Sequence, residues 1–340
     1  MAFFRRNKAN QQEPAVHPVT AFWSWWATEG RHISPHQVSS ATDELTRLVQ
    51  EINPELTWHF GPGESAQHRL TVTAGGVAAA RPSAERWYRA APPPDETWEF
   101  RPSQQPDPQA LTQTLEIAGQ RMDLAETSCR VEPDEQRLRV HVGVHHPAFA
   151  TAPPEVRQQV TFLVLDWLVG EDSVERWLGE IEPLTAAPEP ALPGDAVLAA
   201  VAELDRRRDP DEWAVGQWTD EQGVPGLVSF RPWLRWLDAP TLDRHHAITM
   251  GYPARADGMP ADADILDDLG LLEDRLAGVL GGRGILLAYE TSRGARTFHI
   301  YTDSEDRNVD ADLAAFAGEI GAMGGTSEDP SWRDVRHFTG

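Results

Sequence analysis

Apolar residues along the chain recur with two different periods, and the changes of period divide it into elements. Phe22, Trp25 and Trp26 fall at i, i+3 and i+4, which predicts a short helix with one aromatic face. Leu45, Leu48, Val49 and Ile52 repeat at the same spacing. They predict a helix from Ser39 to Ile52, with Ser39 or Ser40 as N-cap and Pro54 as the stop. Period-two alternation follows at Leu56–Phe60 and His68–Thr73 around a Gly61-Pro-Gly turn. A short helix is expected over Pro82–Ala90 and a strand at Trp98–Phe100. Thr114–Ile117, Thr127–Val131 and Arg137–Val144 read as an antiparallel meander. Val156, Val160, Leu163, Val164 and Trp167 trace one helical stripe from Pro154 to Val169, closed by Gly170. A helical turn at Asp172–Leu178 and a strand around Ile181 complete this half.

Thr185–Gly194 holds three prolines in ten residues and almost no large side chain, so it predicts a domain boundary. Asp195–Arg207 then reads as a linker helix with Val197, Leu198, Val201 and Leu204 on one face. The next unit opens with a hairpin over Glu212–Leu237, two alternating runs joined by Asp220-Glu-Gln-Gly223. Beyond it come a strand at His246–Tyr252, a helix at Ala263–Leu280 and a hairpin of Gly284–Thr291 with Ala295–Thr302. A helix at Val309–Ile320 and a last strand at Trp332–Phe338 follow. After the opening hairpin the order is β-α-β-β-α-β, which predicts a ferredoxin-like split βαβ unit. The expected class is therefore α+β in two domains: a disordered stretch over residues 1–18, a domain over 19–184, a linker and helix over 185–210, and the ferredoxin-like domain over 211–340.

Composition limits what these units can do. The 340 residues carry a net charge of −23, which disfavours nucleic acid and anionic lipid, favours solubility and permits attraction to a basic protein partner. Cys129 is the single cysteine, so intramolecular disulfides and cysteine-based zinc sites are excluded. No apolar run reaches the roughly 20 residues of a membrane span. Met1–Asn10 has three cations but no apolar stretch after it, so no secretory signal is read there, and the expected location is cytoplasmic with no stable membrane association.

Three segments of the second unit, EWAVGQWTDEQGVPGLVSFRP, GILLAYETSRGARTFHIYT and EDPSWRDVRHF, carry a resemblance to the bacterial "domain of unknown function 695" family. The last of them also resembles the acidic regulators that inhibit ribonuclease E. The resemblance covers somewhat over a third of the chain. It implies an α+β fold and supplies no activity, substrate or catalytic residue.

Candidate chemistry is sparse. His141 and His145 share one face of a predicted strand and His146 follows, so a metal site needs only a third ligand from elsewhere; His245-His246 is a second pair. Gly281-Gly-Arg-Gly follows a helix rather than opening one, so it is a cap and not a phosphate loop. Asp303–Asp312 lacks the glycine that a calcium loop requires, Asn308 standing in its place. No catalytic residue, metal ligand or cofactor site is assigned. Two candidate partner-binding patches remain. Arg231, Trp233, Arg235 and Trp236 combine the residue types that dominate binding hot spots, either as a contact patch or packed against the first domain. Asp262–Asp274 and Asp303–Glu319 carry six carboxylates each, and Asp267, Asp268, Asp310 and Asp312 are expected to face outward from two helices on one side of a sheet. These features point to a non-enzymatic binding or regulatory protein. The alternatives are a metal-dependent enzyme built on the histidines, or an immunity or antitoxin protein facing a basic toxin. The oligomeric state stays open.

Overall fold

The computed structural model describes residues 16–35, 40–117 and 119–339. Most of the stretch expected to be disordered, and Ser39 as a cap, lie outside these residues. Helix α1 (Pro18–Thr28) begins where that stretch ends, with Pro18 in the first turn, where its missing N–H costs nothing. The chain continues through α2 (Ser40–Ile52), β1 (Thr57–Pro62), β2 (His68–Thr73), α3 (Arg81–Arg89) and β3 (Trp98–Arg101). Trp23 stacks on Trp87 at 5.0 Å and Trp26 meets Trp98 edge-on at 5.1 Å. Phe22, Leu45, Leu70 and Trp87 are fully buried with them in one core. The indole N–H groups of Trp23 and Trp98 reach the carbonyls of Trp87 and Arg31, while the buried indole N–H of Trp87 finds no hydrogen-bond partner among the described residues.

A second core forms from β4 (Thr114–Ile117), β5 (Gln120–Asp123), β6 (Ser128–Asp134), β7 (Arg139–His145), α4 (Pro154–Val169), α5 (Glu171–Trp177), β8 (Leu178–Leu184) and α6 (Asp195–Arg207). The meander expected over Thr114–Val144 is split between two sheets, β4-β5 and β6-β7-β8, and β1-β2-β3 form a third. Parallel pairing divides them, because β3 runs parallel to β2 and β8 parallel to β7, each arriving after a helix. The proline-rich segment is also tied down. Leu192 exchanges two main-chain hydrogen bonds with Cys129, at 2.7 and 3.0 Å, and α6 buries Val197 and Leu204 in the core that holds Cys129. Residues read as linker are thus packed against this part of the fold.

The remaining strands are β9 (Ala214–Thr219), β10 (Pro225–Phe230), β11 (Arg244–Gly251), β12 (Gly284–Ser292), β13 (Ala295–Thr302) and β14 (Met323–Glu328), with α7 (Ala263–Leu280) and α8 (Arg307–Glu319). They form one antiparallel sheet in the order β14-β11-β13-β12-β10-β9. Within the β-α-β-β-α-β run this is fourth, first, third, second, and the β9-β10 hairpin extends the β12 edge. Asp262 caps α7 through the Ile265 N–H, and Gly281 closes it in the left-handed region at φ 52°. Arg293 and Gly294, both at positive φ, make the tight turn between β12 and β13. Phe298 and Ile300 face α7 and α8, where Leu276, Val309, Leu313 and Phe316 cover them. Tyr301, on the other face, packs with Leu287, Trp236 and Trp332.

The last strand is not where the aromatic run predicts it. It is the glycine-bearing Met323–Glu328, exposed along its whole length at the sheet edge. Trp332 instead turns inward from a left-handed residue, φ 51°, and donates its indole N–H to the Leu242 carbonyl at 2.8 Å. Val335 joins it under the sheet, so the C-terminal aromatic segment is a plug. The α+β class expected from the sequence is the class of the structure. Among the described residues no helix is long and apolar enough to cross a membrane.

Candidate functional site

Helices α7 and α8 lie on one face of the six-stranded sheet, yet their carboxylates have different surroundings. Around α8 every one is met by a partner. Asp310 pairs with Arg244 and lies 3.5 Å from both Arg307 and the His246 imidazole. Asp312 meets Arg283 at 2.7 Å and Glu319 meets Arg275 at 3.1 Å. Asp303 meets Arg86 at 2.6 Å, Glu305 approaches the same guanidinium, and Asp306 caps the helix through Asn308 and Val309. Of the two α8 residues expected to face outward, Asp312 does so, half-exposed in an ion pair, while Asp310 is turned into the groove between α8 and β11 by Arg244.

On α7 only Asp262, the cap, and Glu273, bonded to Arg296 at 2.5 Å, are engaged. Asp264, Asp267, Asp268 and Asp274 are exposed and make no hydrogen bond or ion pair with any described residue. Leu266 and Leu271 stand among them 52% and 61% exposed. The turn-by-turn reason is simple. The inward stripe of α7 is Leu269, Leu276 and Leu280, so Leu271 falls on the outer side of the helix, while Leu266, three positions before Leu269, is exposed at the flank of that stripe in the first turn.

The Arg231–Trp236 segment runs along the junction between the sheet and the core of β6–β8. Trp236 is buried at 8% exposure, and Trp233 packs on that core while its indole bonds Glu212 at 2.6 Å. Arg231 pairs with Asp211 at 3.0 Å and lies over the Trp213 ring. Arg235 donates to the Pro232 carbonyl, and its backbone N–H reaches Asp238. Asp238 also holds Arg176 and Arg208, each at 2.9 Å, so one carboxylate ties three segments together. Burial, then the nearby Arg139, brings the Arg235 guanidinium down to about 10. Of the two uses weighed for this segment, the contacts describe packing against the neighbouring unit.

The histidines have local partners. His146 is buried, accepts the Ala148 N–H at Nδ1 and contacts the Asp123 carbonyl through Nε2, which must then carry the proton. His141 accepts the Glu180 N–H, and His145 lies 3.3 Å from the Ser128 hydroxyl. Among the described residues no group of three or more His, Cys, Asp or Glu is placed to hold a metal ion. His245 and His246 point to opposite faces, as alternation on a strand requires. His246 bonds Thr302 at 2.8 Å. His245 enters a chain that sequence spacing does not reveal: Asp334, His245, His299 and Glu290 follow one another at 3.1, 3.0 and 3.0 Å. With both carboxylates ionised, the three contacts take three N–H protons, one more than two neutral imidazoles carry. Burial and the neighbouring His299 hold His245 below the ordinary histidine range.

One cleft was not foreseen at all. About 500 Å³ lies between the Thr73–Ala78 loop, α4, α5 and the Trp236-Leu237 turn. Asp166 lines it, and burial followed by repulsion from Glu171 raises its carboxyl to about 7. Glu171 is fastened by Thr73 and by the N–H groups of Gly76 and Gln104. A signal existed in the sequence, an acid in the largely apolar second half of a helix, but only the fold brings the second carboxylate to it.

No known protein family, no curated protein and no solved structure matches this chain. The reading therefore rests on the residues themselves.

Proposed function

We propose that this is a binding protein that presents the outer side of α7 to a basic, amphipathic partner. The observation that carries this reading is the pairing of exposed Leu266 and Leu271 with four carboxylates that no described residue answers. Exposed leucines offer contact area to an apolar stripe. The carboxylates steer cations toward it and select against acidic competitors. A partner helix with leucines on one side and arginine or lysine beside them fits this chemistry. The likeness to the acidic regulators of ribonuclease E supports such a role, and the protein in this reading needs no cofactor. The enzyme alternative drew on histidines, and these are engaged in local hydrogen bonds.

A labelled basic amphipathic helical peptide of about five turns, titrated with the full chain and read by fluorescence anisotropy, tests the reading. Binding is expected to weaken as salt shortens the screening length from roughly 30 Å to about 8 Å. It should be lost in Leu266→Ser/Leu271→Ser. A peptide that binds this variant as well as the parent chain would remove α7 from the role.

A further inference from the structure

A strand at the edge of a sheet carries main-chain groups that no neighbour answers, and β14 is such a strand. Its run Met-Gly-Gly-Thr-Ser-Glu has no proline, no lysine and no bulge in its pairing with β11, the common means of blunting an edge. Asp329 donates its N–H to the Asp243 carbonyl at 2.8 Å, which fixes the alternation along the strand. Met323, Gly325 and Ser327 therefore turn their N–H and C=O toward β11, and Gly324, Thr326 and Glu328 turn theirs outward. No described residue bonds these outward groups.

The edge borders a groove. Gly324, Thr326 and Glu328 stand opposite Ile248, His246 and Arg244, so they lie on the sheet face that α8 covers. On that face a cleft of about 520 Å³ lies between α8 and the edge, lined by Ile248 and by Leu313, Ala314 and Ala317. Small residues keep it open: a Cβ added at Gly324 would meet nothing within 4 Å. At one end Asp310 takes up Arg244 and Arg307, whereas Glu328 makes no ion pair with any described residue.

We infer that β14 takes up an extended segment of a partner protein as an added strand, with a leucine or valine of that segment in the groove and a lysine or arginine four positions before it against Glu328. A strand laid antiparallel on β14 sends every second side chain onto this face, so its positions facing Glu328 and Gly324 are four apart. Glu328 answers the cation across the pair, and the net charge of −23 draws it in. A second copy fits worse. Paired antiparallel with itself, the edge would bring glycine, threonine and glutamate to the groove, none of which fills an apolar space, and would join two chains of −23. The edge is distinct from the outer side of α7, so the inference stands independently of the helix-binding reading.

Selection of a displayed library of random peptides, each about ten residues long, against the full chain tests it. The enriched peptides are expected to alternate apolar residues and to carry a lysine or arginine four positions before a leucine or valine. A synthetic copy of the most enriched peptide should slow hydrogen exchange at the outward amides of Gly324, Thr326 and Glu328, read by NMR. Gly324→Leu fills the groove from open space, and Thr326→Pro removes an outward N–H. Each should weaken that peptide at least about tenfold by fluorescence anisotropy. Both positions are exposed, so the variants should melt with the parent chain. Met323→Ser, on the other face and 78% exposed, should stay within about twofold. A selection that enriches nothing over the Gly324→Leu chain overturns the inference. So do peptides that bind both edge variants as well as the parent, or peptides lost in Leu266→Ser/Leu271→Ser instead. A dimer of the free chain that Gly324→Leu dissociates would also overturn it and give the edge to a second copy.

Discussion

Helices α7 and α8 look alike in sequence and differ in what surrounds them. The stretch that holds each carries six carboxylates, with one arginine beside or within it, and each packs a leucine-bearing stripe on the same sheet face. Around α8 the carboxylates are met by Arg86, Arg244, Arg275 and Arg283, drawn from a helix in the first half, a central strand, α7 and a turn. On α7, Asp264, Asp267, Asp268 and Asp274 have no such partner among the described residues. The lesson is that a count of charges along a helix says little about its surface. What decides is which arginines the topology delivers: α8 lies beside β14 and within reach of Arg244 on β11 and of Arg86 from the first half, while α7 packs on β12.

The contrast is sharpest in stability. Asp310→Ala strands Arg244, whose side chain is only 13% exposed, without its carboxylate. We expect a loss of about 2–4 kcal/mol in urea denaturation, the usual cost of breaking a largely buried pair. A loss below about 0.5 kcal/mol would mean that water replaces the aspartate and the two helices do not differ.

A carboxyl that is unanswered but buried provides a third case. Asp166 binds its proton more tightly in the folded state, with a value of about 7 against 3.8 unfolded. The folded chain therefore holds a proton that the unfolded chain releases between these values. Stability from this group is full below pH 4 and falls as pH rises through 7. Asp166→Asn removes that dependence. Thermal melts should show the variant more stable than the parent at pH 8, by about 2 kcal/mol after discounting for partial solvent access, and nearly equal at pH 4. A parent chain whose stability rises from pH 4 to 7 in step with the variant's contradicts the burial argument.

The smallest stability effect belongs to α7. Asp267→Ala and Asp268→Ala should change stability by no more than about 0.5 kcal/mol, because neither side chain has a partner to lose. A larger loss by differential scanning calorimetry would reveal structural contacts for these carboxylates.

Much of the six-stranded unit was legible in the sequence, because its signals are local. Asp262 and Gly281 bracket α7, and Arg293-Gly294 marks the β12–β13 turn at the place the pattern gives. Met323–Glu328 was not legible as a strand, since an exposed edge strand bearing two glycines has no apolar face to alternate. Trp332 misled for the opposite reason: a large aromatic residue reads as a strand, while here it fills the space under the sheet. In the first half, parallel pairing of β7 with β8 depends on residues about forty apart, which no local pattern records. The site was legible only in part. The acidic stretches stood out, but the partners of Asp310 and Asp312 come from β11 and a distant turn.

The central claim is that α7, and not acidity in general, makes the partner surface. It is tested most directly by two double variants of equal charge. Asp267→Asn/Asp268→Asn and Asp312→Asn/Glu319→Gln each remove two negative charges, taking the chain from −23 to −21. The association rate of the basic amphipathic peptide, measured by stopped-flow anisotropy at low salt, is then compared. We predict that the α7 variant associates several-fold more slowly while the α8 variant stays within about twofold of the parent chain. Equal slowing in both would contradict the account and leave net charge as the whole of the effect.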